Sequence, residues 1–205
     1  STDVVGYVAY IARIRSRKGL TLHPSDNRVE IERAKEALRL ATDGGKVVVV
    51  SSGDPGVFAM ASAMFEALEM GPSEWRDLQI DVLPGVTSML AAAARVGAPL
   101  GHDFCAINLS DNLKPWSIIE KRIRLAVECD FAIGLYNPRS KARPDQFGLA
   151  LNVLNQICDK DTPVVFARAV STPDEIIKIS SIREASPKMA DMRTVVLVGT
   201  SRTRL

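Results

Sequence analysis

Apolar and polar residues follow two alternating patterns along the chain, which predict strands and helices in turn. Short β-branched runs predict strands, and one of them alternates apolar and polar residues, as an edge or antiparallel strand does. The predicted strands are DVVGY (3–7), KVVVVSS (46–52), LQIDVLPG (78–85), FCAINLS (104–110), DFAIGLYNP (130–138), TPVVFARAV (162–170), EIIKISSI (175–182, the alternating run) and TVVLVGTS (194–201). KVVVVSS carries apolar residues on both faces, which is typical of a parallel sheet beneath helices.

Helical periodicity separates these strands. Segment 28–42 places Ile31, Ala34, Leu38 and Ala41 on one face, with charged residues elsewhere. Further helices are predicted for an apolar segment opening at Pro55, VTSMLAAAARVG (86–97), PWSIIEKRIRLAVE (115–128, Ile119, Ile123 and Ala126 inward) and FGLALNVLNQIC (147–158). The alternation predicts an α/β fold.

Two βαβ sets meet at a break near residues 100–112. We therefore predict two α/β domains, residues 1–107 and 108–205, with a cleft between them. The length of 205 residues and the 46% apolar and 24% charged composition suit such a fold.

Charge and cysteine content narrow the class of protein. A net charge of +2 does not indicate a nucleic-acid partner, and no apolar run reaches the roughly 18 residues of a membrane span. Cys105, Cys129 and Cys158 form no CxxC pair. We therefore expect reduced thiols, no membrane partner and a cytoplasmic location.

Four loops follow the carboxyl ends of predicted strands, where open α/β sheets bind ligands. They are SSGDPG (51–56), LPGVTS (83–88), LYNPRS (135–140) and ARAVSTP (167–173). Asp54 could accept a hydrogen bond from a ligand or cap a helix opening at Pro55. Thr87 and Ser88 could likewise cap the next helix or offer hydroxyls to a ligand.

Several common chemistries lack their motifs. No GxGxxG or GxxxxGK[ST] is present, so neither a dinucleotide fingerprint nor a P-loop is predicted. His23 and His102 are the only histidines and no cysteine has ligand spacing, so no metal site is predicted. A ligand with ribose, amine and carboxylate groups but little phosphate remains, and S-adenosylmethionine fits that description.

Five segments together resemble the tetrapyrrole methylase family of cobalamin biosynthesis. They are SSGDPGVFAMAS, VLPGVTSMLAAAARVGAPLGHDF, INLSDNLKPW, LYNPRSKARPDQF and TPVVFARAV, in order along essentially the whole chain. LSDNLKPW and YNPRSKAR narrow the resemblance to family members acting at C-17. Family members begin with a strand and a Gly-x-Gly-Pro-Gly loop ahead of the segment equivalent to DVVGY, and the sequence contains no such loop.

The resemblance implies two α/β domains, a homodimer, and S-adenosylmethionine bound in the interdomain cleft. The implied cofactor contacts are Ser52, Gly53, Asp54, Val57, Thr87, Ser88, Asn137 and Ala169. The implied reaction methylates precorrin-3B at C-17 with ring contraction to precorrin-4. Our candidates for a proton donor in the contraction are Ser110, Asp111, His102 and Tyr136, each of which could instead have a structural role.

Precorrins carry acetate and propionate carboxylates, for which arginine is the expected partner. Arg139 and Arg168 are the leading candidates, ahead of Lys141 and Arg143. Three alternatives stay open: a methylase of the same family acting on another precorrin, a non-catalytic ligand-binding module, and a dinucleotide-dependent oxidoreductase, which the absent phosphate loop disfavours.

Overall fold

A computed structural model describes residues 1–26, 29–112 and 114–205. Arg28 of the first predicted helix and Leu113 of LSDNLKPW lie outside the described residues. By Cα proximity the chain divides into two compact units, Ser1–Thr87 and Ser88–Leu205. None of the helices in the described part of the chain has the length and apolar character needed to cross a bilayer.

The first unit contains a three-stranded parallel sheet in the order β2-β1-β3. Its elements are β1 (Thr2–Tyr7), α1 (Val8–Ile11), β2 (Leu20–Ser25), α2 (Glu30–Thr42), β3 (Lys46–Val50), α3 (Met60–Met70) and a 3₁₀ turn (Ser73–Asp77). Ala34 and Leu38 of α2 pack with Ala63 and Ala67 of α3 and with Trp75. Small residues at this contact let the two helices approach closely.

The second unit contains a five-stranded mixed sheet in the order β4-β5-β8-β6-β7. Its elements are α4 (Ser88–Val96), β4 (Phe104–Asn108), α5 (Trp116–Glu128), β5 (Ala132–Tyr136), α6 (Gln146–Ile157), β6 (Pro163–Arg168), β7 (Ile176–Ser181), a 3₁₀ turn (Pro187–Met189) and β8 (Thr194–Val198). Strands β4 and β5 are parallel, and β8 runs antiparallel to both β5 and β6. Strands β4, β5 and β6 therefore all end at the same edge of the sheet.

Both faces of this second sheet are covered. Ile119 of α5 and Phe147 of α6 lie in a core with Phe166 on one face, and Met89 and Ala92 of α4 pack with strand residues on the other. Each fully buried side chain of this size contributes about 1.5–3 kcal/mol relative to exposure. The helix face predicted from Ile119, Ile123 and Ala126 is confirmed.

Most predicted elements are confirmed, and β7 is both an edge and an antiparallel strand, as its alternation predicted. The prediction of a strand at 78–85 is wrong, because no strand of the described chain pairs with this segment. Val82 and Leu83 are instead 44% and 77% exposed. A β-branched run becomes a strand only where a neighbour completes its backbone hydrogen bonds.

Three further details differ from prediction. Strand β3 is parallel, as predicted, but lies at the sheet edge with Val48 49% exposed, so it is not buried on both faces. Strand β2 was not predicted; its Pro24 cannot donate a hydrogen bond and is tolerated because β2 is also an edge. Helix α3 begins at Met60 rather than Pro55, so Asp54 does not cap it.

The division between the units falls after Thr87, whereas we predicted a domain boundary after residue 107. Helix α4 accounts for the difference, because its Met89, Ala92 and Ala93 belong to the core of the second sheet. Gly134 of β5 makes room for this helix, since an added Cβ would lie 2.3 Å from the sulfur of Met89. Ala92 and Ala93 of the small-residue run thus pack on a sheet, one of the two partners expected for it, whereas Ala94 is exposed.

Candidate functional site

The carboxylate of Asp54 joins two loops of the first unit. One oxygen accepts the backbone N–H of Gly56 at 2.8 Å, and the other accepts the backbone N–H of Gly85 at 3.0 Å. Charged acceptors strengthen such bonds. Asp54 therefore fixes the SSGDPG loop against the segment that leads to α4.

The two loops also touch through their backbones. A Cβ added to Gly85 would lie 2.2 Å from the carbonyl oxygen of Gly53, so no other residue fits at position 85 without a shift. Gly53 has φ +66°, in the left-handed region that favours glycine. The loop contact requires glycine at position 85 and the positive φ favours it at position 53, and a sequence pattern alone reveals neither.

The other predicted cofactor residues of the first unit lie on these two loops. Ser52 and Gly53 are exposed, Val57 is half-buried, and Thr87 is 6% exposed. The backbone N–H of Val57 donates to the carbonyl of Asp54 at 3.1 Å. The structure thus brings Ser52, Gly53, Asp54, Val57 and Thr87 together within one pair of loops.

The side chains of these loops suit a cationic ligand better than a phosphate. Residues 51–57 and 84–88 include one carboxylate and no lysine or arginine. Anionic ligands are usually met by basic side chains or by glycine-rich phosphate motifs. The loops therefore lack the basic groups that a phosphate needs, whereas their hydroxyl and carboxylate oxygens are compatible with the amine and ribose hydroxyls of S-adenosylmethionine.

A second polar cluster lies in the second unit, at the edge where β4 and β5 end. The side-chain oxygen of Asn108 accepts the amide N–H of Asn137 at 3.1 Å and the backbone N–H of Ser110 at 2.9 Å. Asn137 has φ +51°, a conformation that asparagine tolerates better than most residues. Ser110 and Asn137, predicted for different roles, are thus held by one side chain.

Asp111 extends this cluster toward α6 and Lys114. The amide of Gln146 donates to an Asp111 carboxylate oxygen at 3.1 Å, and the Lys114 ammonium donates to the carbonyl of Ser110 at 3.3 Å. Partial burial and the charge of Arg122 lower the pKa of Lys114, while Asp111 opposes them. A lysine in this environment gives up its proton more readily than an exposed lysine does.

Tyr136 supports the start of α4. Its hydroxyl oxygen accepts the backbone N–H of Met89 at 3.0 Å, and this N–H lies in the first turn, where a helix has no internal acceptor. Ser88, a predicted cofactor contact, is the first residue of the same helix. Tyr136 therefore holds the helix end that carries Ser88.

Arg168 is the last residue of β6 and Ala169 follows it, about 10 Å along the sheet edge from Tyr136, given two strand spacings. Arg168 Nε donates to Asp191 at 2.7 Å, and this bond and charge raise the pKa of Arg168. Ala169 has φ +49°, which costs a non-glycine residue of order 1 kcal/mol. Backbone strain of this kind is often found at functional sites.

His102 lies elsewhere in the second unit. It precedes β4, whereas Ser110 and Asp111 follow that strand, so about 16 Å of strand separates them. Hydrogen bonds from Ser201 lower the pKa of Asp130, and the nearby His102 adds a smaller lowering effect. The structure does not bring His102 together with the other proton-donor candidates.

Sequence reasoning missed Asn108, Lys114 and Gln146. Asn108 lies two residues before Ser110, and Lys114 lies four residues after it, both within INLSDNLKPW. This closeness to Ser110 is the only feature of the sequence that points to them. Gln146 lies 35 residues from its partner Asp111. Within the described ranges, no group of three or more histidine, cysteine or acidic side chains is arranged to hold a metal ion.

The family model "Tetrapyrrole (Corrin/Porphyrin) Methylases" matches residues 8–186. The chain therefore belongs to the tetrapyrrole methylase family, and it is a methyltransferase.

Individual relatives agree across nearly the whole chain. The chain is 52% identical to a Precorrin-3B C(17)-methyltransferase of Sinorhizobium sp, over 99% of this chain and 80% of the relative. It is 37% identical to a Probable cobalt-factor III C(17)-methyltransferase of Salmonella typhimurium, over 98% and 82%. The crystal structure of the methyltransferase CobJ has a TM-score of 0.95 and 62% identity, over 99% of this chain and 84% of that one.

Proposed function

We propose that this enzyme transfers a methyl group from S-adenosylmethionine to C-17 of precorrin-3B during cobalamin biosynthesis, with ring contraction to precorrin-4. The observation that carries this proposal is the 52% identity to the Sinorhizobium Precorrin-3B C(17)-methyltransferase over 99% of the chain. The lower identity of 37% to a probable cobalt-factor III enzyme favours a cobalt-free substrate.

The residues that we propose for cofactor binding are Ser52, Gly53, Asp54, Val57, Thr87, Ser88, Asn137 and Ala169. When bound, S-adenosylmethionine supplies an electrophilic methyl group on a sulfonium. We assign Asp54 mainly a positioning role, because both of its carboxylate oxygens bind backbone N–H groups. It keeps the exposed backbone of Ser52 and Gly53 in one conformation for the ligand.

The second unit is proposed to hold the tetrapyrrole beside the Asn108 cluster. Methyl transfer needs the two reactants aligned about 3–3.5 Å apart, and little acid–base help. Ring contraction can use a proton donor. Ser110, Asp111 and Lys114 lie close together after the end of β4. We favour Lys114 as the group that gives the proton. The negative charge of Asp111 favours the protonated form of this lysine before the transfer.

We also propose a cytoplasmic homodimer. The dimer follows from the family resemblance alone. The compartment is supported by the thiols, since Cys105, Cys129 and Cys158 are all free. Burial raises the pKa of Cys158 to about 11, which keeps this thiol protonated and slow to oxidise.

The test of the activity is turnover with defined substrates. The purified chain is incubated with S-adenosylmethionine carrying a labelled methyl group in two parallel reactions. One reaction contains precorrin-3B and the other contains cobalt-factor III. Label at C-17 of a ring-contracted product from precorrin-3B is the expected result. Faster turnover of cobalt-factor III would assign the cobalt-containing substrate instead, and methylation at another carbon would assign a different methylase.

A binding measurement separates catalysis from a non-catalytic role. Calorimetric titration of S-adenosylmethionine is expected to give a dissociation constant near micromolar, about −8 kcal/mol. Binding of both ligands without turnover would favour the ligand-binding module. Absence of cofactor binding, with turnover also absent, would contradict the methyltransferase assignment.

A further inference from the structure

Two buried polar atoms near the end of β5 have no hydrogen-bond partner in the described structure. They are Nη1 of Arg143, a donor, and Oε1 of Gln146, an acceptor. Buried polar atoms of native proteins are nearly always paired, and leaving a charged donor without an acceptor is costly. Both residues belong to the LYNPRSKARPDQF segment, in which Arg143 ranked behind Arg139 and Arg168 as a candidate partner for substrate carboxylates.

The backbone around Arg143 is held in place although its side chain is not paired. The N–H of Ser140 donates to the carbonyl of Arg143 at 3.0 Å, and the N–H of Arg143 donates to both the carbonyl and hydroxyl oxygens of Ser140. This closed turn fixes where the arginine leaves the loop. The position of the Arg143 backbone is therefore fixed, while its guanidinium forms no ion pair.

Gln146 has a fixed orientation. Its amide nitrogen donates to Asp111 at 3.1 Å, so the amide oxygen necessarily points away from that carboxylate. Exchanging the two amide atoms would set the oxygen against Asp111 and lose this bond. The hydrogen bond to Asp111 therefore leaves Oε1 of Gln146 without a donor, at the sheet edge where β4 ends.

The two leading candidate arginines differ from Arg143. Arg139 is half-buried and forms no ion pair with a described carboxylate, but it has no buried unpaired nitrogen, and Arg168 is already engaged. Arg168 binds Asp191 at 2.7 Å, whereas no carboxylate of the described residues forms an ion pair with Arg143. Pairing Arg168 with a substrate would first break its ion pair with Asp191. Pairing Arg143 costs no such bond and satisfies an atom that is otherwise without a partner.

We propose that Arg143 is the specificity-determining residue that pairs with a carboxylate of the tetrapyrrole substrate. This inference rests on the proposed function, whose substrate carries acetate and propionate side chains. Because Nη1 is buried in this structure, binding requires the half-buried Arg143 side chain to rotate outward and present Nη1 to the carboxylate in a charge-assisted bond. Arg168 is left as a structural residue.

The experiment compares Arg143→Ala and Arg143→Lys with Arg183→Ala, an exposed arginine of the same unit that pairs only with exposed Asp161. Arg143→Ala should raise KM for precorrin-3B at least tenfold, with Arg143→Lys intermediate. The affinity for S-adenosylmethionine and the Tm should stay unchanged in all three. Unchanged KM in Arg143→Ala, or a rise equal to that in Arg183→Ala, would overturn the proposal.

A second arm works even if precorrin-3B is not the substrate. The same variants are titrated with uroporphyrin III, a stable tetrapyrrole polycarboxylate, and binding is followed by its fluorescence. A tenfold loss confined to the Arg143 variants supports the carboxylate contact, whatever the turnover result. Equal binding by all variants, or no binding by the unmodified chain, contradicts it. If the Arg143 variants lose uroporphyrin III binding but the unmodified chain does not turn over precorrin-3B, the proposed substrate is refuted and the carboxylate contact stands.

Discussion

Asp54 accepts a hydrogen bond from the backbone N–H of Gly85 at 3.0 Å, across 31 residues of chain. Its other oxygen closes its own loop through Gly56. One carboxylate therefore sets the distance between the two loops that carry the predicted cofactor contacts of the first unit. The loops and the residue that joins them behave as one structural element.

Replacing Asp54 tests whether it positions the loops or touches the cofactor. Asp54→Ala should weaken binding of S-adenosylmethionine and S-adenosylhomocysteine equally, by tenfold or more, or about 1.4 kcal/mol. The two ligands differ by the positive sulfonium charge, so calorimetry with both is decisive. A loss seen for S-adenosylmethionine alone would mean that the carboxylate acts on the sulfonium. Asp81→Ala, an exposed acidic residue before Pro84, is the matched control.

Gly85 should tolerate no side chain. In Gly85→Ala the new Cβ meets the Gly53 carbonyl at 2.2 Å, and we expect a loss of about 1–3 kcal/mol of stability together with weaker cofactor binding. The control is Gly148→Ala in α6, where the nearest atom is 3.6 Å away and alanine should stabilise the helix by up to about 1 kcal/mol. Urea unfolding measures both. Equal stability of the two variants would contradict the close loop contact.

Tyr136 should act by holding α4 rather than by donating a proton. Tyr136→Phe removes the acceptor of the Met89 N–H, and we expect a loss of about 1 kcal/mol of stability and a kcat within tenfold of the unmodified enzyme. Chemical denaturation and steady-state kinetics separate the two effects. A hundredfold lower kcat at unchanged stability would instead assign a general acid.

His102 should be dispensable for the reaction. It precedes β4, with the strand between it and Ser110. We expect His102→Asn to keep both kcat and the pH dependence of kcat. Loss of one limb of the pH profile in this variant would place His102 in the proton transfer and refute the assignment.

Asp130 should contribute to the acid sensitivity of the second unit. Hydrogen bonds from the Ser201 hydroxyl and backbone hold the pKa of Asp130 below its ordinary value of 3.8. A lowered folded-state pKa stabilises the fold above the unfolded pKa, and this stabilisation is lost as the pH falls through the folded pKa. Ser201→Ala should raise the pKa of Asp130, as followed by NMR titration, and reduce the pH dependence below about pH 4. An unchanged Asp130 titration would contradict this.

Local pattern predicted the secondary structure where a neighbour was available to complete it. The inward face of α5 and the alternation of β7 are both confirmed, because each depends on residues close in sequence. Segment 78–85 has the composition of a strand and is not one, since backbone hydrogen bonding needs a partner strand that composition cannot supply. Strand β2 was not predicted for a related reason. Its Pro24 is tolerated only because β2 lies at the sheet edge, and edge position depends on tertiary structure.

The candidate site divides in the same way. By itself the sequence determined the α/β class, the loops after the strands, and the family resemblance, because these depend on residue types in order along the chain. Only the tertiary structure decided that Asp54 binds Gly85, that Arg168 is paired while Nη1 of Arg143 is not, and that His102 lies apart from Ser110. Each of these depends on distances between residues far apart in the chain, which are set by how the strands pair and the helices pack.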